Sequence, residues 1–310
     1  MKPFSKLSAI YTIFRKVIMM KKKIHDYFTR KHMLSSNYEV FHFLNTEDTF
    51  QYLHTHDFYE FYLYISGDVT YLIEGKSYNL ESGDIILINT KELHRAIVNT
   101  MKVPYERIIL WINKSFLREL STPETDLTQC FENVGKKNII RADFQIQQNV
   151  RAQLSKLLDL ENYKGLGKDL LSKAYITELV IQLNNLVFND KSDMDIEIMK
   201  SNLIDGIVEY INNHVTEEIT IDQLSKEFFL SKFHLAREFK KYTGTTIHRY
   251  IVQKKLIEAK ELIIKNYPIN SVYKQSGFGD YSNFFRAFKN EYGISPKQFY
   301  KLMSESSLKK

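Results

Sequence analysis

Cysteine is nearly absent: the chain has one, Cys130, in 310 residues. A single thiol builds neither a disulfide framework nor a cysteine-based zinc site. A reducing compartment suits such a chain, so a cytoplasmic protein is expected. Also missing is any run of about 18 apolar residues, the length a membrane-spanning helix needs, so no membrane partner is expected. Residues 1–32 lack the build of a secretion signal. They hold nine Lys and Arg against one acidic residue. Their apolar positions, Leu7, Ile10, Tyr11, Phe14 and Ile18, are interrupted by polar pairs, and no small-residue cleavage site follows. This stretch reads as a basic leader, disordered or loosely helical. A start at Met19, Met20 or Met33 would omit part or all of it.

What is present is a globular composition, 44% hydrophobic, and enough chain for about two domains. The net charge is +6 and is unevenly spread. From residue 201 onward 17 basic residues face 12 acidic ones, while the middle of the chain is acidic. A basic C-terminal part beside an acidic middle fits a nucleic-acid binder joined to something else, although many basic faces are merely solvated.

The same unit occurs twice between residues 219 and 300. IDQLSK at Ile221 lies over INSVYK at Ile269 with an offset of 48, and FHLAREFKKYTG at Phe233 lies over SNFFRAFKNEYG at Ser282 with an offset of 49. A match held across a one-residue shift marks an internal repeat. In the first copy Thr220 or Asp222 can cap a short helix with Leu224 and Phe228 inward. Phe229-Leu230 makes a tight connection. Ser231 caps a second helix that buries Leu235, Phe239 and Tyr242 and stops at Gly244. In the second copy Gly277-Phe278-Gly279 makes the turn, because glycine takes the positive φ that a sharp angle requires. Asp280 or Ser282 caps the helix that buries Phe284, Phe285 or Phe288. Two such pairs with basic outer faces read as two helix-turn-helix units, about residues 221–243 and 269–292, inside a domain of residues 201–303. A long helix, about residues 247–265, joins them. It spans about 28 Å, close to the ~34 Å that separates two major grooves on one DNA face.

The stretch GFGDYSNFFRAFKNEYGISPKQFY from Gly277 resembles the signature of the AraC/XylS family of transcriptional regulators: Gly-Phe, an aromatic-Phe-x-Arg-x-Phe-Lys core, Gly-x-Ser-Pro and a terminal aromatic. LSKEFFLSKFHLAREFKKYTG from Leu224 is similar to the same family. The resemblance is specific over the last 100 residues or so and looser before them. It implies double-stranded DNA as a partner. Carried over by position, it sets Ser231, Lys232, Phe233, Ala236 and Arg237 against the first groove, with Lys240 at phosphate. It sets Ser282, Asn283 and Arg286 against the second, flanked by Tyr281 and Lys289. Arg and Asn make bidentate bonds to guanine and adenine. Ala236 departs toward a small apolar contact, which suits a thymine methyl.

Residues 33–142 read differently. YEVFHFLN, FYEFYLYI, DVTYLIEG, KSYNL, DIILIN, HRAIVN and ERIILWI are short, aromatic and β-branched, with turn residues between them. Seven such strands suggest a small barrel or jelly roll, the class that includes the cupins. His54-x-His56 precedes Glu60 and Gly67, and Gly83 precedes His94, a spacing that resembles the two cupin motifs. Period two along a strand places His54, His56 and Glu60 on one face, and a second strand can bring His94 beside them. Three imidazoles and a carboxylate suit a transition metal. Against that, Asn89 and Lys91 stand where the metal-binding motif has Pro and Gly. Three readings stay open: polar lining of a ligand pocket, histidines bonded to backbone or to Glu60, and a metal site. The first is favoured. It makes His54, His56, Glu60, His94, Tyr62, Arg107 and Trp111 the candidate ligand-binding set, with no metal and no cofactor assigned. Tyr59, Tyr64 and Tyr71 can stack on a sugar ring, although strand aromatics are more often core or sheet surface, and Arg95 can bind a carboxylate or hydroxyls, although an exposed arginine needs no such role.

Two helices, about residues 143–161 and 167–188, follow the barrel within a helical region of residues 143–189. The second is too apolar for one buried stripe, so a homodimer contact is expected. Residues 190–200 read as a linker, with a helix from about Ile196 to His214 opening the DNA-binding domain.

The expected fold class is therefore multidomain α+β: an N-terminal cupin-like barrel with two flanking helices and a C-terminal all-α double helix-turn-helix domain. The family resemblance implies a regulator that senses a small molecule, commonly a sugar, in the barrel, dimerises through it and contacts RNA polymerase. A metal-binding cupin enzyme or metal sensor tethered to DNA, on His54, His56, Glu60 and His94, is the alternative. No acid-base pair separate from those ligands supports catalysis, so no catalytic residue is assigned. A ligand-free scaffold with a closed barrel is the third possibility.

Overall fold

The computed structural model describes residues 33–47, 51–133, 135–188, 198–199 and 202–307. The basic leader and most of the 190–200 segment lie outside them.

Two antiparallel sheets build the N-terminal domain. The five-stranded sheet has the order β1 (Tyr38–Asn45), β7 (Tyr105–Asn113), β2 (Phe58–Ser66), β5 (Ile85–Ile88), β8 (Ile139–Ile140). The four-stranded sheet has the order β6 (His94–Thr100), β3 (Asp68–Ile73), β4 (Lys76–Asn79), β9 (Ile198–Met199). Period two explains their chemistry. From Phe58 to Tyr64 every residue of β2 is buried, because both faces are covered. Tyr59, Phe61 and Leu63 meet the helices, whereas Phe58, Tyr62 and Tyr64 point between the sheets. Tyr59, read as a stacking aromatic, is therefore on the wrong side; its hydroxyl donates to Glu132 Oε1 at 2.6 Å.

Short helices α1 (Lys114–Leu120) and α2 (Gln129–Glu132) follow β7. Helices α3 (Phe144–Leu160) and α4 (Lys168–Phe188) then cover the five-stranded sheet. Asp143 caps α3 by accepting from Ile146 N at 2.9 Å. Ile176, Leu179, Val180 and Leu183 of α4 face the barrel. Leu170, Ile181 and Phe188 on the same helix remain exposed.

The C-terminal domain runs α5 (Asn202–Asn213), α6 (Ile221–Glu227), α7 (Lys232–Thr243), α8 (Ile247–Ile264), α9 (Ile269–Gln275), α10 (Tyr281–Tyr292) and α11 (Pro296–Ser307). The helix expected from about Ile196 starts only at Asn202; before it, β9 pairs with Ser77 and Tyr78 of the barrel. Leu224, Leu235 and Phe239 form the first unit's core, and Val272, Phe284 and Phe288 the second's. Helix α8 serves both, so its buried positions surround the helix axis. Buried among them is Lys255, whose ammonium donates to the carbonyls of Glu217 and Gly277 and ties the connection ahead of the first unit to the turn of the second.

The two domains share a core. Leu53 and Leu93 of the barrel pack with Ile204, Ile207, Ile211, Tyr250 and Ile251. The β3–β4 turn presses against α5: a Cβ on Gly75, at φ +82, would lie 2.7 Å from Val208 Cγ2. The preceding Glu74 carboxylate accepts from Leu93 N at 2.7 Å, Lys254 Nζ at 2.9 Å, and Tyr250 Oη and Asn212 Nδ2 at 3.3 Å. Gln253 Nε2 donates to Leu53 O at 3.2 Å.

Candidate nucleic-acid interface and barrel site

Each recognition helix is started by a side-chain cap and ended by a left-handed glycine. Ser231 accepts from His234 N, and Asp280 from Asn283 N. Gly244 and Gly293 stop the helices at φ 69 and 76. These signals fix the helical phase. Ser231, Lys232, Phe233, Arg237 and Lys240 are exposed in the first unit, and Ala236 is half-buried. In the second, Tyr281, Ser282, Asn283, Arg286 and Lys289 are exposed.

Within α10 the candidate residues Asn283 and Arg286 bond to each other. Arg286 Nη2 donates to Asn283 Oδ1 at 2.6 Å, and Asn283 Nδ2 donates to the Asp280 carboxylate. In α7, Arg237 Nε is 3.2 Å from Glu238 Oε1, and Lys232 pairs with Asp222. These surface pairs are weak and leave the cations available to other partners. Phe229, in the tight connection of the first unit, takes a left-handed φ of 52 with its ring 94% exposed. The offset of 48 that matches it to Gly277 was the available signal.

In the barrel, His54, His56, Glu60, Tyr62, Arg107 and Trp111 line one interior space together with Tyr71 and Tyr105. His94 adjoins them, its ring centroid 4.4 Å from His54 and 4.8 Å from His56. The histidines do not share a strand with Glu60, as period two had implied. His54 makes a lone bridge with His94, and β2 begins only at Phe58. The interior free volume is about 20 Å³, room for roughly one water. The side chains fill the remainder by touching each other. Trp111 Nε1 donates to Glu60 Oε2 at 2.9 Å, Tyr71 Oη donates to Glu60 Oε1 at 3.3 Å, and the Tyr62 and Tyr105 hydroxyls meet. Arg107 is fully buried, its guanidinium 4.0 Å from the Tyr105 ring centroid, and it donates to Asn45 Oδ1.

Burial alone would raise the Glu60 carboxyl, but the imidazoles of His56, His94 and His54 hold it down to about 2. Burial pushes the His94 imidazole well below its usual range, and His54 and His56 add to that. His56 Nε2 is 3.2 Å from Glu60 Oε2 but lacks the alignment of a hydrogen bond. The ligating atoms of His56, Glu60 and His94 lie within 4.8 Å of one another.

Comparison with known proteins fits this two-part build. The family model for an AraC-like ligand binding domain matches residues 38–180, and that for a helix-turn-helix domain matches residues 224–301. The HTH-type transcriptional activator RhaS of Salmonella typhimurium (strain LT2) is 24% identical over 245 residues, covering 79% of this chain and 85% of the relative. Among solved structures, ToxT from Vibrio cholerae covers 86% of this chain and 98% of its own at 16% identity and a TM-score of 0.35. The C-terminal domain of the response regulator yesN from Fusobacterium nucleatum covers 32% of this chain and 99% of its own at 32% identity and a TM-score of 0.31. Among the described residues no helix is long and apolar enough to cross a membrane.

Proposed function

The chain belongs to the AraC family of transcriptional regulators, and from that premise we propose that it is a cytoplasmic, sequence-specific DNA-binding regulator whose barrel responds to a small effector. The observation that carries this is the shared core. The segments bearing His54 and His94 also bear Leu53 and Leu93, on which the DNA-binding domain rests. An occupant that moves those segments changes the docking of α8, the helix that spaces the two recognition helices. Base reading falls to Arg237, Asn283 and Arg286, and phosphate contact to Lys232, Lys240 and Lys289.

A carbohydrate is the effector class the family resemblance implies, and the lining of aromatics, Arg107 and Glu60 suits one. Ligand pockets run to about 300–1,000 Å³. A sugar therefore enters only when the barrel opens, and opening it disturbs the domain seam. The exposed Leu170, Ile181 and Phe188 of α4 supply an apolar face for a homodimer. Activation through a contact with RNA polymerase completes the reading.

The test is selection of a DNA site from a random pool by the full chain, followed by titration of that site with and without a panel of monosaccharides. A selected site whose affinity shifts with one sugar is expected. Failure to enrich any sequence overturns the regulator reading. Enrichment with no sugar effect overturns the carbohydrate reading alone.

A further inference from the structure

Arg95 differs from the other cations at the domain seam. Strand β6 alternates: His94 and Ala96 are buried toward the barrel interior, so Arg95 points outward. Its guanidinium lies on Gly244, the left-handed glycine that ends the first recognition helix; a Cβ on that glycine would overlap it. Lys91, in the turn before β6, pairs with Glu261 at 3.1 Å, and Lys254 pairs with Glu74 at 2.9 Å. Among the described residues no carboxylate pairs with Arg95, and its buried Nε has no hydrogen bond. Burial pushes the guanidinium below its usual range, yet an arginine stays charged at neutral pH. A partly desolvated cation without an anion is costly. The C-terminal dipole of α7 offsets part of that cost, and a full anion would offset more.

Other cations surround the same helix end. Lys240 and Lys241 precede Gly244 by four and three residues, one turn back on the same side of the helix. Both are exposed, and the neighbouring acid, Glu238, is turned to Arg237. Just past the glycine, Thr246 caps α8, and Arg249 in its first turn stands 5.6 Å from the Tyr52 ring centroid. Tyr52 belongs to the barrel. Gln51 before it accepts from Ala96 N at 3.3 Å, beside Arg95. Both domains thus contribute to one basic patch around the α7–α8 connection: Arg95, Lys240, Lys241 and Arg249. Cations that continue the line of a recognition helix fit the phosphate backbone of the duplex that the helix reads. Lys240 is assigned to a phosphate above. Gly244 and the guanidinium on it lie one helical turn farther, about 5.4 Å. That step is on the scale of the phosphate spacing along one strand.

We propose that Arg95 contacts a phosphate of bound DNA beside the first recognition helix, so that the sensing barrel is itself part of the DNA interface. The contact rests on the regulator reading above. It carries no sequence information and fixes how the barrel sits on the duplex. Arg95 follows His94 on β6, so an occupant that displaces His94 displaces the phosphate contact as well. DNA affinity then depends on the barrel by two routes: this contact, and the shared core at Leu53 and Leu93.

The experiment titrates the full chain with its selected DNA site over a range of salt. Arg95→Gln should weaken binding about tenfold at roughly 50 mM salt and about threefold at roughly 200 mM, because the plot of log affinity against log salt loses about 0.9 of its slope, the share of one phosphate. Arg95→Met, which keeps the packing of the stem, should behave as Arg95→Gln does and replaces it should that variant unfold by circular dichroism. Arg95→Lys keeps the charge and should keep the wild-type slope. Lys156→Gln removes an exposed cation from α3, over the other sheet, and should leave slope and affinity unchanged. A scan of the site with single methylphosphonates, each neutralising one phosphate, then locates the contact. One position should cost the wild type about tenfold and the neutral variant almost nothing. An unchanged slope in the neutral variants, or equal phosphate penalties in wild type and variant, overturns the contact and leaves Arg95 as a cap on the end of α7. Absence of any selective DNA binding overturns the regulator reading, and the contact with it.

Discussion

Changing Gly277 to Ala tests the repeat in energetic terms. Gly277 is the turn residue of the second helix-turn-helix at φ +82. An added Cβ would lie 2.5 Å from Val215 O and 2.9 Å from Thr216 C, both backbone atoms. The left-handed conformation costs a residue with a Cβ about 1–2 kcal/mol. The contact cannot relax freely, because Lys255 holds Glu217 O and Gly277 O at once. Loss of one such charge-assisted bond costs about 1.5–3 kcal/mol. The unfolded chain gives back about 0.4–1 kcal/mol, since alanine has less entropy to lose. A net loss of about 2–4 kcal/mol follows. In a domain of this size it lowers the melting midpoint by about 10–20 °C. Circular dichroism melts of the full chain, paired with DNA binding across the same temperatures, read it. The matched position in the first unit predicts the opposite sign. Phe229 holds φ 52 with its ring 94% exposed, so Phe229→Gly removes strain and uncovers almost nothing. A gain of about 0.5 kcal/mol is expected after glycine's own entropy cost. Gly277→Ala melting with the wild type, or Phe229→Gly losing more than about 1 kcal/mol, would refute the reasoning.

Other consequences are as direct. Arg286→Ala should cost about 1–3 kcal/mol in DNA affinity and relax one base position in site selection; uniform weakening on all sequences would make Arg286 a phosphate contact. Arg141 grips the buried Asp84 through Nε–Oδ1 and Nη2–Oδ2 bonds of 2.9 Å, so Arg141→Met should strand a charge and cost about 3 kcal/mol in denaturant unfolding. Burial pushes the Cys130 thiol far up, so a thiol-specific reagent should label it at neutral pH only after denaturant is added, and fast labelling of the folded chain would contradict that burial.

Much of the fold was legible because its signals are local. The alternation in residues 38–45 and 106–112 marks strands, and Ser231, Asp280, Gly244 and Gly293 mark helix ends. What stayed hidden needs a partner from far along the chain. The two-residue strands β8 and β9 are too short to show a period. Lys255 reads as one more cation on a polar helix face, yet it holds two carbonyls 60 residues apart. Arg107 reads as a pocket cation open to a ligand, and it is among the largest fully buried side chains. Leu53 and Leu93 sit beside histidines in segments with no periodicity, and only the docked helices α5 and α8 explain their burial.

The barrel cluster shows the same divide at the level of chemistry. Spacing brought His54, His56, Glu60 and His94 to notice and left three readings open. Only geometry bears on them. The inner nitrogens of His56 and His94 make no hydrogen bond, and about 20 Å³ of free volume adjoins the cluster, so a sugar-sized effector enters only when the barrel opens. The energy it must deliver is modest. A tenfold change in operator affinity requires about 1.4 kcal/mol of coupling between effector and DNA. Leu53 and Leu93, one residue from His54 and His94, pack in the core that holds the DNA-binding domain, so only a small part of the effector's binding free energy has to differ between docked and released states.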